Sequence, residues 1–350
     1  MQGQRLVFTA PGRAELESFE APAPGPCQVL VRSTRTLVSA GTELKAYGGA
    51  QHSAEGLTYP RGSGYSHVGV VEQVGGEVGE LRPGDRVATQ RGHASHVLLD
   101  LGAAPAALGA ALPGASWPRP PEWYQLLPAG VTDEQAAFAV LGSVAMHGVR
   151  KAELRLDESS VVVGQGVVGQ LVGQLARLNG ARPLIGIDLD ADRLERSRES
   201  GIDHQIQLAA DEAIQQALAL TGGRGADVGF DCTATHRAFP SMLKMAAFAG
   251  RVVVVGSLTG TATISLYEEL QLKELTIIGA HQPKAPPFWH PAAPWTHAAN
   301  RRSFLDLLAA GRLRVDHLIS HDVPAAAAPE LFEQMAQGPR GWLGVIFRWD

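Results

Sequence analysis

The sequence predicts an α/β protein in which a doubly wound parallel sheet is joined to a region resembling a β-barrel. From residue 159 onward, short apolar runs alternate with helical segments, which is typical of a parallel sheet with right-handed crossovers. Before residue 101 the chain shows short strands separated by proline and glycine turns. The length of 350 residues favours two domains, because single hydrophobic cores stop growing near roughly 250 to 300 residues.

Composition favours a small-molecule partner. The net charge of -5 is spread without a long run of one sign, so the chain lacks the electrostatic footprint of a protein that binds nucleic acid or an anionic membrane. The first residues lack a signal-peptide pattern and no apolar stretch approaches a membrane span, so we expect a cytoplasmic protein. The two cysteines, Cys27 and Cys232, offer neither a disulfide framework nor a CxxC zinc pair.

The strand-rich region contains four predicted strands and one diagnostic turn. The strands are QRLVFTA, QVLVRSTRTLVS, HVGVVEQVG and SHVLLD, and the turn is PGDRV. The stretch from Leu101 to about Pro120 is rich in alanine, proline and glycine, and we assign it no structure. The closing segment GWLGVIFRW predicts a strand that can return to this region and make it discontinuous.

The alternating region begins after a helical pattern that starts at Asp133. Its predicted strands are SSVVV, PLIGIDLD, DVGFDCT, RVVVVGS and TIIGA. Its predicted helices are QLVGQLARL, a segment opened by Asp190, and RAFPSMLKMAAFAG. A further helical pattern, RRSFLDLLAAGRL, follows a proline- and tryptophan-rich stretch.

A glycine turn of the form GxGxxG connects SSVVV to its helix. Gly164 permits the tight turn, Gly166 lets the backbone approach a pyrophosphate, and Gly169 allows the helix to pack closely on the strand. Val167 and Val168 lie within the turn, just before the predicted helix QLVGQLARL, whose free N-H groups and positive dipole end face the phosphates. This pattern predicts a Rossmann-type dinucleotide site.

An acidic residue supports that prediction and favours NAD. Asp188 ends the next strand, where a carboxylate can accept hydrogen bonds from the adenosine ribose hydroxyls. The same carboxylate would repel the 2'-phosphate of NADP, which is therefore the less favoured cofactor. Arg193 follows five residues later, and it is either a solvated helix residue or a phosphate contact.

The order of these elements resembles the medium-chain dehydrogenase/reductase superfamily over nearly the whole chain, and in particular its zinc-type alcohol and polyol dehydrogenases. The local motifs are SAGTELK at 39 to 45, GYSHVGVVEQVG at 64 to 75, PGDRV at 83 to 87 and LGSVAMHGVR at 141 to 150. The resemblance implies a discontinuous GroES-like β-barrel domain formed by residues 1-140 and 285-350, and a Rossmann domain formed by residues 141-284. It also implies a homodimer or homotetramer that associates through the sheet edge.

The positions of the catalytic zinc ligands in that family depart from its pattern. Ala40 replaces the zinc cysteine, Tyr65 and Ser66 replace a His-Glu pair, and Val140 replaces the third ligand. A catalytic zinc needs about three protein ligands. We therefore expect no zinc, and a zinc-free branch of the superfamily.

Four residues at these segments are candidates for the chemistry that zinc would otherwise perform. Thr42 stands at the relay hydroxyl of zinc members and Lys45 at their relay histidine, while Tyr65 and His67 lie in the lost ligand segment. Each also has a purely structural interpretation. These are a turn hydroxyl, a solvated charge, a ring packed on the sheet and a buried histidine, respectively.

Further contacts follow from the resemblance. Thr233, Gly256 and Ser257 end strands where ligands sit in such sheets. Cofactor or substrate contacts are also expected at the segment from Ser143 to His147 and at His281, Gln282, Phe288, Trp289, His290 and Trp295. The alternative for each is an ordinary role in a loop or at the surface.

The leading functional prediction is an NAD(H)-dependent, zinc-independent oxidoreductase that interconverts an alcohol and a carbonyl on a polyol, sugar derivative or amino alcohol. The alternatives are an NAD(P)H-dependent enoyl or quinone-type reductase and a non-catalytic dinucleotide-binding protein. Asp188 argues against the reductase, since many such relatives prefer NADPH.

Overall fold

A computed structural model of the protein describes residues 1–50, 57–102, 124–286, 294–338 and 341–349. Most of the alanine-rich stretch after Leu101 lies outside these residues, and so do the predicted contacts Phe288, Trp289 and His290. Within the described part of the chain, no helix is long and apolar enough to cross a membrane.

The strands are β1 (Gln2–Ala10), β2 (Arg13–Glu20), β3 (Gln28–Leu37), β4 (Arg61–Gly62), β5 (His67–Val74), β6 (Arg86–Thr89), β7 (His96–Asp100), β8 (Tyr124–Leu126), β9 (Ser160–Val163), β10 (Leu184–Asp188), β11 (His204–Gln207), β12 (Ala226–Asp231), β13 (Ala246–Val254), β14 (Thr276–Gly279), β15 (Ile319–Pro324) and β16 (Gly344–Arg348).

The α-helices are α1 (Ala40–Tyr47), α2 (Asp133–Ala136), α3 (Ala139–Ala152), α4 (Val167–Leu178), α5 (Ala191–Glu199), α6 (Ile214–Leu220), α7 (Phe239–Met245), α8 (His297–Ala309) and α9 (Ala328–Ala336). Short 3-10 turns cover His236–Ala238, Gln282–Lys284, Asp316–Leu318 and Ala325–Ala327, and a π-helical turn covers Leu266–Gln271.

Six of the described strands form a parallel sheet in the order β11-β10-β9-β12-β13-β14. The chain therefore starts in the middle, moves to one edge and then crosses to the other, which is the doubly wound order of dinucleotide-binding sheets. The strands are apolar because helices cover both faces, and all four residues of β9 are buried. This confirms the predicted α/β fold class.

A second sheet is built around β3. Its described strands follow the order β15-β16-β3-β5-β6-β8, and β7 also pairs with β3. Strands β1, β2 and β4 form a separate antiparallel sheet. The closing segment lies as predicted, because β16 pairs antiparallel with β3. The division of the chain at residues 140 and 284 stays a prediction.

Helix α3 lies where these sheets meet. One apolar cluster joins Leu37 and Val68 of the β3 sheet to Phe138, which immediately precedes α3, and to Val149 within α3. A Cβ on Gly142 would lie 2.3 Å from the ring of Phe304 in α8, so glycine allows the two helices to touch. Burial of this shared apolar surface fixes α3 beside both sheets.

Two local predictions differ from the structure. The predicted helix RAFPSMLKMAAFAG is α-helical only from Phe239 to Met245, and its second half begins β13. Ala246 pairs with Ala226 there, and Ala249 has φ +55°, which a helix cannot include. The sequence analysis also omitted β2, whose segment RAELESFE is rich in acidic residues and largely unburied.

Candidate functional site

The glycine turn between β9 and α4 has the geometry that its sequence predicts. Gly164 adopts φ +90°, a conformation that favours glycine. A Cβ on Gly169 would lie 1.8 Å from the carbonyl oxygen of Gly164, so any larger residue would force α4 away from β9. A Cβ on Gly166 would meet no atom within 4 Å, so the described residues leave open space in front of the second glycine.

Helix α4 begins at the edge of this space. Gly166 is its N-cap, and Val167, Val168 and Gly169 form its first turn. The first N-H groups of a helix have no partner within the helix, and they carry the positive end of its dipole. The structure therefore brings the predicted phosphate-binding groups together.

Asp188 ties β10 to the glycine turn. One carboxylate oxygen accepts the backbone N-H of Gln165 at 2.6 Å, and the other accepts that of Asp190 at 2.9 Å. These bonds hold the carboxylate at the carboxyl end of β10, next to the turn. Arg193 points elsewhere, because its guanidinium donates to the carbonyl of Trp342 at 3.1 Å.

The carboxyl ends of β12 and β13 approach each other closely. A Cβ on Gly256 would lie 1.9 Å from the carbonyl oxygen of Thr233, so glycine is required there. The Thr233 hydroxyl donates to Asp231 at 2.7 Å, which orders the loop after β12. Burial raises the pKa of Asp231.

Lys45 connects α1 to these strand ends. Its ammonium donates to the carbonyl of Ala234 at 2.8 Å and to the carbonyl of Ser257 at 2.6 Å. Burial lowers the pKa of Lys45 below its ordinary value. The side chain is therefore not a solvated surface charge, because it reaches the edge of the parallel sheet where Thr233, Gly256 and Ser257 lie.

A hydroxyl cluster adjoins Lys45. The Tyr65 hydroxyl donates to Ser39 Oγ and is also hydrogen-bonded to Thr42. Burial raises the pKa of Tyr65, outweighing these bonds, so its hydroxyl keeps its proton at neutral pH. Thr42 and Lys45 are three residues apart on α1, and residues at that spacing share a helix face.

His67 is placed differently from the other three candidates. It is fully buried, with Nε2 2.7 Å from Ser33 Oγ and Nδ1 2.8 Å from Thr89 Oγ1. Burial, followed by the charges of His93 and Arg91, lowers the pKa of His67 to about 3. Both nitrogens are engaged by hydroxyls inside the β3 sheet, so we assign His67 no proton-transfer step.

The zinc-ligand positions of the family hold a poor set of donors. Ala40 and Val140 offer only hydrocarbon, and Tyr65 is engaged with Ser39. The Ser66 hydroxyl is buried and makes no hydrogen bond to the described residues. Among those residues, no three His, Cys, Asp or Glu side chains are grouped so as to hold a metal ion.

Three residues of this region were missed by the sequence analysis. Ser39 is the hydroxyl partner of Tyr65, and it precedes α1 without capping it through its side chain. Glu43 accepts the backbone N-H of Ser39 at 2.7 Å and pairs with His93 at 2.9 Å, and both side chains are buried. A serine before a helix predicts a cap, so sequence alone gave no sign of this second role.

The remaining predicted contacts lie around α3. The Ser143 hydroxyl donates to the carbonyl of Val140 at 2.7 Å, within its own helix. Gln282 Nε2 lies 2.9 Å from His297 Nδ1. Trp295 lies under the guanidinium of Arg150, with 3.7 Å between the guanidinium carbon and the ring centroid.

Comparison with known proteins gives the family. The family described as zinc-binding dehydrogenase matches residues 167–297. An alcohol dehydrogenase of Cupriavidus necator is 30% identical over 290 residues, 74% of this chain and 78% of the relative. The 2-dehydro-3-deoxy-L-galactonate 5-dehydrogenase of Pseudoalteromonas atlantica is 29% identical over 320 residues, 87% of each chain.

The fold is shared with solved dehydrogenases. Galactitol-1-phosphate dehydrogenase from Escherichia coli superposes with a TM-score of 0.78 at 18% identity, covering 99% of both chains. The chain is an oxidoreductase, and it belongs to the zinc-type, alcohol dehydrogenase-like medium-chain dehydrogenase/reductase superfamily.

Proposed function

We propose that the protein is an NAD(H)-dependent, zinc-independent oxidoreductase that interconverts an alcohol and a carbonyl on a polar small molecule. The observation that supports this most directly is Lys45, whose amine reaches from α1 to the ends of β12 and β13. Similarity to the 2-dehydro-3-deoxy-L-galactonate 5-dehydrogenase of Pseudoalteromonas atlantica supports a polar substrate such as a polyol or sugar derivative.

The residues present fit a dinucleotide. The open space at Gly166 and the first turn of α4 would receive the pyrophosphate. Asp188 would accept hydrogen bonds from the adenosine ribose, and its negative charge disfavours a 2'-phosphate, so we propose NAD rather than NADP. When bound, NAD would supply the hydride acceptor for alcohol oxidation, and NADH the hydride donor for carbonyl reduction.

Lys45 can manage the proton of the alcohol. An ammonium has three N-H groups, and two of them are used by the carbonyls of Ala234 and Ser257. In the neutral amine a lone pair takes the place of the third N-H. In alcohol oxidation this lone pair would accept the proton of the substrate hydroxyl as the carbon-oxygen double bond forms. In carbonyl reduction the ammonium would return a proton to the substrate oxygen.

Thr42 and Tyr65 would position the substrate oxygen. Tyr65 keeps its proton, and its bond to Ser39 fixes its hydroxyl beside α1. Thr42 lies one turn before Lys45, so its hydroxyl can receive the substrate proton and pass one to the amine. In this arrangement hydroxyl groups and a lysine replace the Lewis acid that zinc supplies.

We also propose self-association through β14. This strand is the edge of the six-stranded sheet among the described strands, and Ile277 is exposed on it. Three more exposed apolar side chains, Leu266, Tyr267 and Leu272, precede the strand closely in sequence, and exposed Phe248 lies on the neighbouring strand β13. An unpaired strand edge with an apolar surface suits a second copy of the same chain.

A cytoplasmic location is also part of the proposal.

The role of Asp188 is tested by Asp188→Asn, which keeps the shape of the side chain and removes its charge. We expect the preference for NADH over NADPH to fall by about tenfold, because charged hydrogen bonds are worth about 1.5–3 kcal/mol and neutral ones about 1 kcal/mol. Calorimetric titration of the wild type and the variant with NADH and with NADPH measures this preference. Asp192→Asn, on the exposed first turn of α5, should change nothing, and a wild-type preference for NADPH would refute the assignment.

The role of Lys45 is tested by Lys45→Arg, which keeps the positive charge and cannot lose its proton. We expect kcat for alcohol oxidation to fall by about 10²–10⁴, with NADH affinity unchanged. In the wild type, oxidation should rise with pH through the lowered pKa of Lys45, because only the neutral amine accepts a proton, and carbonyl reduction should fall over the same range.

Lys273 provides a matched control. It also donates to two carbonyls, those of Leu243 and Lys244, at 2.7 and 3.1 Å, and burial also lowers its pKa. Lys273→Arg should leave kcat and the pH profile unaltered. Full activity of Lys45→Arg would show that Lys45 only holds the strand ends in place.

Zinc independence is tested by elemental analysis and by dialysis against a chelator. We expect less than stoichiometric zinc in the purified protein, with NADH binding and turnover retained after dialysis, because the ligand positions offer too few donors. Stoichiometric zinc whose removal abolishes turnover, and whose return restores it, would contradict this.

Self-association is tested by light scattering on Ile277→Lys. A charge on the edge strand should convert the wild-type oligomer to a smaller species, because burying it between two copies costs desolvation energy. Leu156→Lys is the control, since Leu156 is 83% exposed and lies outside the edge. A monomeric wild type would rule out the interface.

A further inference from the structure

Basic side chains from three elements meet beside the proposed site. Helix α3 contributes His147 and Arg150, helix α8 contributes His297 and Arg301, and His281 follows β14. Helices α3 and α8 pack together, since Gly142 touches Phe304. We call these five residues the basic cluster.

Arg150 makes contacts with neutral groups. Its guanidinium donates to Asn300 and to the hydroxyl of Ser303 at 3.2 Å, and it stacks on the ring of Trp295. A guanidinium held flat in this way keeps a rigid set of donors for a planar or tetrahedral anion. Burial lowers the pKa of Arg150 to about 10, which leaves it charged at neutral pH.

Asn300 gives an independent indication of a ligand. Its side chain is completely buried, and its Oδ1 accepts from Arg150. Its Nδ2 has no hydrogen-bond partner among the described residues. Buried amide donors are nearly always satisfied, so this group calls for an acceptor beside Arg150.

Burial, followed by positive groups of the basic cluster, lowers the pKa values of its histidines His147 and His297. Burial first, and then Lys151, His281 and Arg150, lower the pKa of His147 to about 4. Burial, followed by Arg301 and His147, lowers the pKa of His297 to about 4. The neighbouring positive charges therefore disfavour protonation of the two histidines. An anion placed among the residues of the basic cluster would reverse this effect and favour the protonated histidines.

The cluster borders the strand ends that Lys45 reaches. Gly279 of β14 pairs with Val254 of β13, so His281 follows at the same edge as Gly256 and Ser257. A Cβ on Gly148, next to His147, would lie 2.7 Å from Val255. The basic cluster and Lys45 are thus both placed at the end of β13.

We propose that the basic cluster and Asn300 bind an anionic group of the substrate, a carboxylate or a phosphate, while its alcohol or carbonyl is placed at Lys45. This rests on the proposed function and narrows it. The substrate class becomes sugar acids and sugar phosphates rather than neutral polyols, because a neutral polyol offers the Asn300 amide and the Arg150 guanidinium no charged acceptor.

The test is binding to the full-length protein saturated with NADH, measured by calorimetry. The probes are six-carbon aldonates, hexitol 6-phosphates, the matching hexitols, and inorganic phosphate at constant ionic strength. We expect at least one anionic compound to bind about tenfold or more tightly than its neutral counterpart, and a preference between aldonates and phosphates identifies the anion.

Arg150→Gln should remove that tenfold advantage while leaving hexitol and NADH affinity unchanged, and Arg150→Lys should keep part of it. Arg155→Gln removes an exposed charge just beyond α3 and should have no effect. Unchanged NADH affinity shows that the variants fold.

Three results would overturn the subsite. The first is equal affinity for anionic compounds and their neutral counterparts, and the second is no binding by any anion, inorganic phosphate included. The third is a loss of affinity in Arg150→Gln that is the same for both classes of compound. Failure of the proposed function is separate, because it would appear as absent NADH binding or as unimpaired turnover by Lys45→Arg.

Discussion

Close backbone packing at the carboxyl-terminal ends of the parallel strands is the constraint on which the rest of the site depends. Gly169 and Gly256 each stand where a Cβ would lie less than 2 Å from a carbonyl oxygen. With glycine at both positions, α4 packs against β9 and the loops after β12 and β13 touch. That contact presents the carbonyls of Ala234 and Ser257 as neighbouring acceptors, and one lysine can then span them.

Helix α1, which carries Lys45, begins at Ala40, one of the family's zinc-ligand positions. Those positions hold hydrocarbon, hydroxyl and phenol groups in this chain, and α1 carries Thr42 and Lys45 three residues apart. The hydroxyls of Ser39, Thr42 and Tyr65 are joined by hydrogen bonds into a polar network beside α1. A satisfied network of this kind is rigid.

Sequence predicted the fold class, the glycine turn and Asp188 because these depend on local rules of period and spacing. It placed Thr42, Lys45 and Tyr65 in one region through resemblance, but the partners of Lys45 are 189 and 212 positions away, beyond any local pattern. Ser39, Arg150, His297 and Arg301 were missed for the same reason, whereas His147 and His281 were expected as contacts. The helix that ends at Met245 was overextended because alanine is a strong helix former, whereas pairing with Ala226 places Ala246 in β13.

Strand β16 has a consequence for how the molecule forms. It lies between β15 and β3, and Trp349 Nε1 donates to Thr36 Oγ1 across 313 positions of sequence. During synthesis the parallel sheet can assemble from consecutive segments as they emerge, whereas β3 must wait for a partner made much later. Only the end of β3 at Arg35–Leu37 thus lacks its β16 partner through most of translation, because β7 pairs with Gln28–Arg32 of the same strand. An unpaired strand edge of this kind is a site at which aggregation can begin.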